Sequence, residues 1–113
     1  MFSVLMKRGN PYVAVLVTAP EMETARRLAK IALEGRWAAC ANLIPHLESH
    51  YWWQGKLESS AEVLILFKTT RKSVAALRAC ILKHHPYDTP EFVVLPLTGG
   101  SKKYLDWISA SVV

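Results

Sequence analysis

Residues 12–18, Tyr-Val-Ala-Val-Leu-Val-Thr, are apolar at odd and even positions alike and rich in β-branched side chains. Such a segment has no polar face to turn to water, so it belongs in the middle of a sheet with material packed on at least one side. A helix start follows directly. Thr18 offers a capping hydroxyl, Pro20 fits a first turn, and Glu21 and Glu23 suit the positive end of a helix dipole. Ala25, Leu28, Ala29, Ala32 and Leu33 then recur at helical spacing, with Arg26, Arg27, Lys30 and Glu34 on the other side and Gly35 as the stop. The spacing predicts a helix over 21–35.

Beyond residue 39 the period changes to two. Ala41, Leu43, Leu47, Tyr51 and Trp53 are expected on one side of a long strand, and Asn42, His46, Glu48 and His50 on the other. Pro45 cannot donate to a ladder and marks a bulge or an edge. Gln54-Gly55-Lys56 reverses the chain into a third strand, 62–69, apolar on both faces except for Glu62 and Lys68. Thr70 can cap a second helix carrying Val74, Leu77 and Ile81, which Pro86 ends. A fourth strand at 91–97, the break Gly99-Gly100 and a short C-terminal helix capped by Ser101, with Tyr104, Leu105 and Ile108 inward, complete the order.

That order, with right-handed crossovers, is α+β and ferredoxin-like, βαββαβ. It has an antiparallel four-stranded sheet, a long hairpin from its second and third strands, and two helices on one face. The second face of the sheet is greasy, and a monomer rarely leaves such a patch open. A second copy of the chain is the expected cover.

Composition limits the function classes. The chain has 113 residues, 51% hydrophobic and 20% charged, which is one folded domain, 1–113, with 1–10 as an N-terminal extension. Its net charge of +5 would attract polyanions, but Arg26, Arg27 and Lys30, Lys68, Arg71 and Lys72, and Lys102 and Lys103 are dispersed over separate segments. The two central strands offer one aromatic, Phe67, where an RNA-recognition module displays several, so no nucleic acid is expected. Met1–Met6 is too short for a signal-peptide core, and no stretch has the length of a membrane span; residence in the cytoplasm is expected, with no membrane partner. Cys40 and Cys80 lack paired metal or redox spacing and read as free, core-lining thiols. GxSxG, P-loop, HExxH and Rossmann patterns are absent and no serine or cysteine has an adjacent His and acid, so the chain reads as no enzyme.

Among chemistry-bearing residues, His84-His85 stand at the end of the second helix, where imidazoles suit copper, zinc or nickel. Neighbouring helical residues diverge by about 100°, so both reach one ion only if the helix frays or a second chain contributes. The alternative is a favourable pairing of histidine with the negative helix end. His46 and His50, four apart on a strand, read as surface histidines. Tyr51, Trp52, Trp53 and Tyr87 are aromatic anchors for an interface or pocket, and Trp53, by its parity with Leu43, reads as core or interface. Glu62 and Lys68 share a strand face and read as a charge pair toward a partner or as solvated strand ends.

Taken together, VAVLVTAPE (13–21), RWAACANLIP (36–45), SHYWWQGKLE (49–58), EVLILFKTT (62–70), HHPYDTPEFVVLP (84–96) and YLDW (104–107) resemble the CutA divalent-cation-tolerance family over nearly the whole chain. The resemblance implies a tight homotrimer with the long hairpins around its axis, and a role in tolerance of divalent metals, with copper(II) as the metal. It places the paired copper-ligating histidines of enterobacterial relatives on His84 and His85. The cysteine that those relatives add in the first strand falls on Val17 here, which removes the soft ligand. It also raises the weight of an inter-subunit ligand cleft near Trp53, Glu62, Lys68, Tyr87 and Glu91, in line with an alternative role as a sensor or adaptor built like the PII signalling trimers. With Lys68 beside Tyr87, that cleft is expected to hold an anionic ligand.

Overall fold

The computed structural model describes residues 10–113, so the expected extension lies, apart from Asn10, outside the described residues. The elements are β1 (Tyr12–Ala19), α1 (Met22–Glu34), β2 (Cys40–Trp53), β3 (Lys56–Thr70), a short 3-10 turn (Arg71–Ser73), α2 (Val74–His84), β4 (Val93–Pro96) and α3 (Lys102–Ser111). The four strands form one antiparallel sheet in the order β2-β3-β1-β4, the ferredoxin-like arrangement read from the sequence.

Val13, Val15 and Val17 of β1 and Val63, Ile65 and Phe67 of β3 meet Leu28 and Ala32 of α1 and Leu77 and Ile81 of α2 in one fully dry core. The opposite face carries Tyr12, Ala14 and Leu16 beside Leu64, Leu66 and Lys68. One end of that face is covered by the chain's own tail. The Tyr12 and Ser109 hydroxyls are 2.8 Å apart, the Lys68 ammonium sits 5.7 Å above the Tyr104 ring, and Ile108 is buried while Tyr104 stays half-exposed. The other end leaves Ile44, Val93 and Leu95 open to water.

Local details differ from the sequence reading in three places. The cap of α1 is Glu21, whose carboxylate accepts from the Thr24 amide at 2.8 Å, and Thr18 stays in the strand. The Glu21 carboxylate reaches the N3 amide of Thr24, whereas Thr18 lies three residues too early, inside β1. Gly35 ends α1 in ordinary helical conformation, and it is Arg36, at φ 59°, that turns left-handed. Gly35 is required for another reason, since a Cβ there would stand 2.5 Å from the Trp37 ring. Thr70 makes no capping bond to α2; its hydroxyl goes to Ser73, which in turn donates to the Val113 carbonyl at 2.6 Å.

Pro45 and His46 together oppose one residue, Val63, because Ile44 pairs with Leu64 and Leu47 with Glu62. This is a bulge of one extra residue, with His46 in the left-handed region at φ 66°. The inserted residue reverses the alternation. Leu43 faces the core opposite Ile65, but Leu47, Ser49, Tyr51 and Trp53 lie on the face of Glu62, and the single stripe expected from 41 to 53 is split in two.

β1 ends against Val63, so 47–53 of β2 and 56–62 of β3 run on past the sheet as a two-stranded ribbon. Gln54 and Gly55, both at positive φ, form the two-residue turn at its tip. An isolated ribbon of this kind is marginal in water, and this one bares Trp52 (73% exposed) and Leu57 (67%).

Candidate functional site: a carboxylate and aromatic cleft

Between the base of the ribbon and the loop 86–91 lies a cleft of about 900 Å³. Its position follows from two anchors. α2 ends because Pro86 forbids continuation, and the His85 ring turns inward to the end of β1, Nε2 to the Thr18 carbonyl at 2.7 Å. The Tyr87 amide then bonds His85 Nδ1 at 3.1 Å. A carbonyl only accepts and an amide only donates, so the ring is the neutral tautomer with its proton on Nε2. Both nitrogens are occupied by protein, and the ring is 8% exposed.

With Tyr87 fixed in this way, its hydroxyl donates to Glu62 Oε2 at 2.7 Å. Burial first, then the bond to Glu62 and the charge of that carboxylate, push the tyrosine well above the usual phenol range, so it remains a donor. Glu62 itself is 8% exposed. Pro90 and Glu91 close the loop side, and Tyr51, Trp52 and Trp53 the ribbon side.

Glu91 is raised above its ordinary value of about 4.5, by desolvation and secondly by the charge of Glu62. The sign of the resulting pH dependence is set by that direction. An acid whose folded-state value is raised contributes stability that is fully present below the unfolded value and is lost as pH climbs through the folded one. Glu91→Gln removes that loss. The substitution is expected to raise the melting temperature at pH 7 and to leave it unchanged near pH 3.5; equal shifts at both pH values, read by circular dichroism, contradict the assignment.

Four of the five cleft residues named from the sequence, Trp53, Glu62, Tyr87 and Glu91, line this space. Lys68 does not. It shares a face with Glu62, but six residues along a strand is about 20 Å, and its ammonium donates to Asn42 Oδ1 at 2.9 Å beside Tyr104. Tyr51 and Trp52, two more of the aromatic anchors, also line it, whereas Thr18, Ser49, His50 and Asp88 belong to the cleft and were missed. For Ser49 and Tyr51 the signal was Pro45: counting one bulged residue there turns them to the face of Glu62.

The paired histidines diverge. His84 is exposed at the end of α2 and His85 is buried behind the cleft. Val17, on which the family resemblance would put a cysteine, is fully buried in the core. Among the described residues no three His, Cys, Asp or Glu side chains are grouped as a metal ion would need. His46 and His50 are exposed, and His50 pairs with Glu48 at 2.6 Å. Cys40 and Cys80 are free thiols. Among the described residues no helix is long and apolar enough to cross a membrane.

Comparison with known proteins places this geometry in a family. Residues 13–111 match the model of the CutA1 divalent ion tolerance protein. The divalent-cation tolerance protein CutA of Escherichia coli is 50% identical over 100 residues, covering 88% of this chain and 89% of that one. CutA1 of Oryza sativa superposes with a TM-score of 0.89 at 40% identity, over 92% of this chain and 95% of the rice chain. The Thermus thermophilus protein Cut A1 gives 0.88 at 41% identity, over 90% and 99%. A relative from Archaeoglobus fulgidus, 37% identical over 90% of this chain and 99% of that one, with a TM-score of 0.87, is described as a periplasmic divalent cation tolerance protein. With the match spanning the sheet, both core helices and the loop that builds the cleft, this chain belongs to the CutA1 divalent ion tolerance family.

Proposed function

We propose that the chain serves divalent-cation tolerance as a homotrimeric, non-catalytic binding protein of the cytoplasm that takes up copper(II) through His84 and His85. The observation that carries the metal reading is the exposed His84 imidazole at the end of α2, next to a second imidazole. The E. coli relative is named for divalent-cation tolerance. His84 is the primary ligand, because His85 must give up its bond to Thr18 or to Tyr87 before a ring nitrogen can face an ion. With no Cys at position 17, the remaining donors come from a second copy. Support for assembly is the apolar surface left at Ile44, Trp52, Leu57, Val93 and Leu95. Free thiols suit a reducing compartment.

Calorimetric titration with copper(II) tests the site. His84→Ala is expected to weaken binding at least tenfold, in line with the loss of one direct ligand; unchanged affinity overturns the assignment.

The cleft favours a second reading, a small-molecule sensor or adaptor. Its support is the convergence of the buried Glu62, Tyr87 and the ribbon aromatics on one open space outside the core.

A further inference from the structure

The cleft is asymmetric in charge. Glu62, Glu91 and Asp88 line it together with His50, and among the described residues no lysine or arginine does. An anionic ligand, the expectation that Lys68 motivated, finds no cation there. Of its two phenols, Tyr87 has its proton committed to Glu62, and the Tyr51 hydroxyl lies 3.2 Å from Ser60 Oγ.

Glu62 itself points to a ligand. The side chain is more than nine-tenths buried, and while Oε2 takes the Tyr87 hydroxyl, Oε1 has no hydrogen-bond partner among the described residues. Among the described residues no side-chain oxygen shut off from solvent lacks a partner, so Oε1 reaches the open space of the cleft. With Oε2 already taken by Tyr87, Oε1 is the oxygen free to accept from a donor that enters. Tyr51, Trp53 and Tyr87 line the same space, and aromatic rings attract an organic cation. A hard divalent ion such as calcium or magnesium wants six or more oxygen ligands in place of rings, and among the described residues no three His, Cys, Asp or Glu side chains are grouped to hold an ion.

We propose that this cleft binds an organic cation bearing a primary amine or guanidinium, its N–H donors on Glu62 Oε1 and on the Glu91 carboxylate and its carbon skeleton against the aromatic walls. The inference rests on the sensing reading of the cleft and names its ligand class. A cation between Glu62 and Glu91 also relieves the repulsion that raises Glu91.

Three matched probes test it on the full chain by calorimetry, with tryptophan fluorescence from Trp52 and Trp53 as a second readout: 1,4-diaminobutane, 1,4-butanediol and succinate. The diamine is expected to bind saturably and the diol and succinate not at all. Glu62→Gln keeps an oxygen to accept from Tyr87 but removes the charge, and is expected to weaken the diamine at least tenfold. Lys68→Ala, outside the cleft, is expected to change nothing. Succinate binding without the diamine overturns the ligand class and leaves the sensing reading standing. Diamine binding that survives Glu62→Gln overturns the site. Silence from all three probes overturns the ligand class and the sensing reading together.

Discussion

His85→Ala is expected to destabilise the chain by about 3 kcal/mol, from the loss of two buried hydrogen bonds and the packing around them. The ring is nearly enclosed, and it joins the Thr18 carbonyl at the end of β1 to the Tyr87 amide in the loop. Alanine strands both backbone groups at once. Tyr87 then loses its anchor, and with it the donor to Glu62, so the cleft is expected to loosen along with the fold. Urea titration followed by circular dichroism measures the first effect. Exposed His84→Ala is expected to stay within about 0.5 kcal/mol of the parent. Equal, small effects from the two histidines would mean that His85 is not the tie between strand and loop. The contrast matters for copper as well. A variant lacking both imidazoles loses metal and structure together, whereas His84→Ala isolates the ligand.

Phe67→Ala is expected to be the most damaging single change, about 4 kcal/mol. Among the described residues Phe67 is the largest fully buried side chain, in the half of β3 that pairs with both β1 and β2, with helices closing over it. Truncation leaves a cavity that three elements must collapse to fill. Its neighbour Leu66, on the opposite face, is only half-buried in a single chain. Leu66→Ala therefore separates two situations. If copies of the chain cover that face, its destabilisation grows and becomes concentration-dependent; if the face stays wet, it is small and constant. Thermal melts at two protein concentrations a hundredfold apart distinguish the outcomes.

The elements that read clearly in advance were those fixed by local rules. The β-branched run 12–18, the helical spacing from Ala25 to Leu33, the two-residue reversal at Gln54-Gly55 and the cap at Ser101 all carry their reasons within a few residues. What escaped depended on counting or on distance. Pro45 announced a bulge, but its consequence, the reversal of alternation from Leu47 onward, requires knowing which residue of β3 each side chain faces. Lys68 and Glu62 agreed in parity, and parity alone cannot tell neighbours from residues at opposite ends of a strand. His84 and His85 look equivalent in sequence. Only the closure of the loop on β1 leaves one of them at the surface and makes the other a strut.

The bulge has a further mechanical meaning. One wall of the cleft is rigidly continuous with the core, through His85 and Tyr87, and the other is a cantilever rooted at Pro45 and His46. Neither root residue lines the opening, yet the angle they impose sets its aperture. Substitution at these two positions thus tunes the size of molecule admitted while leaving every contacting side chain as it was.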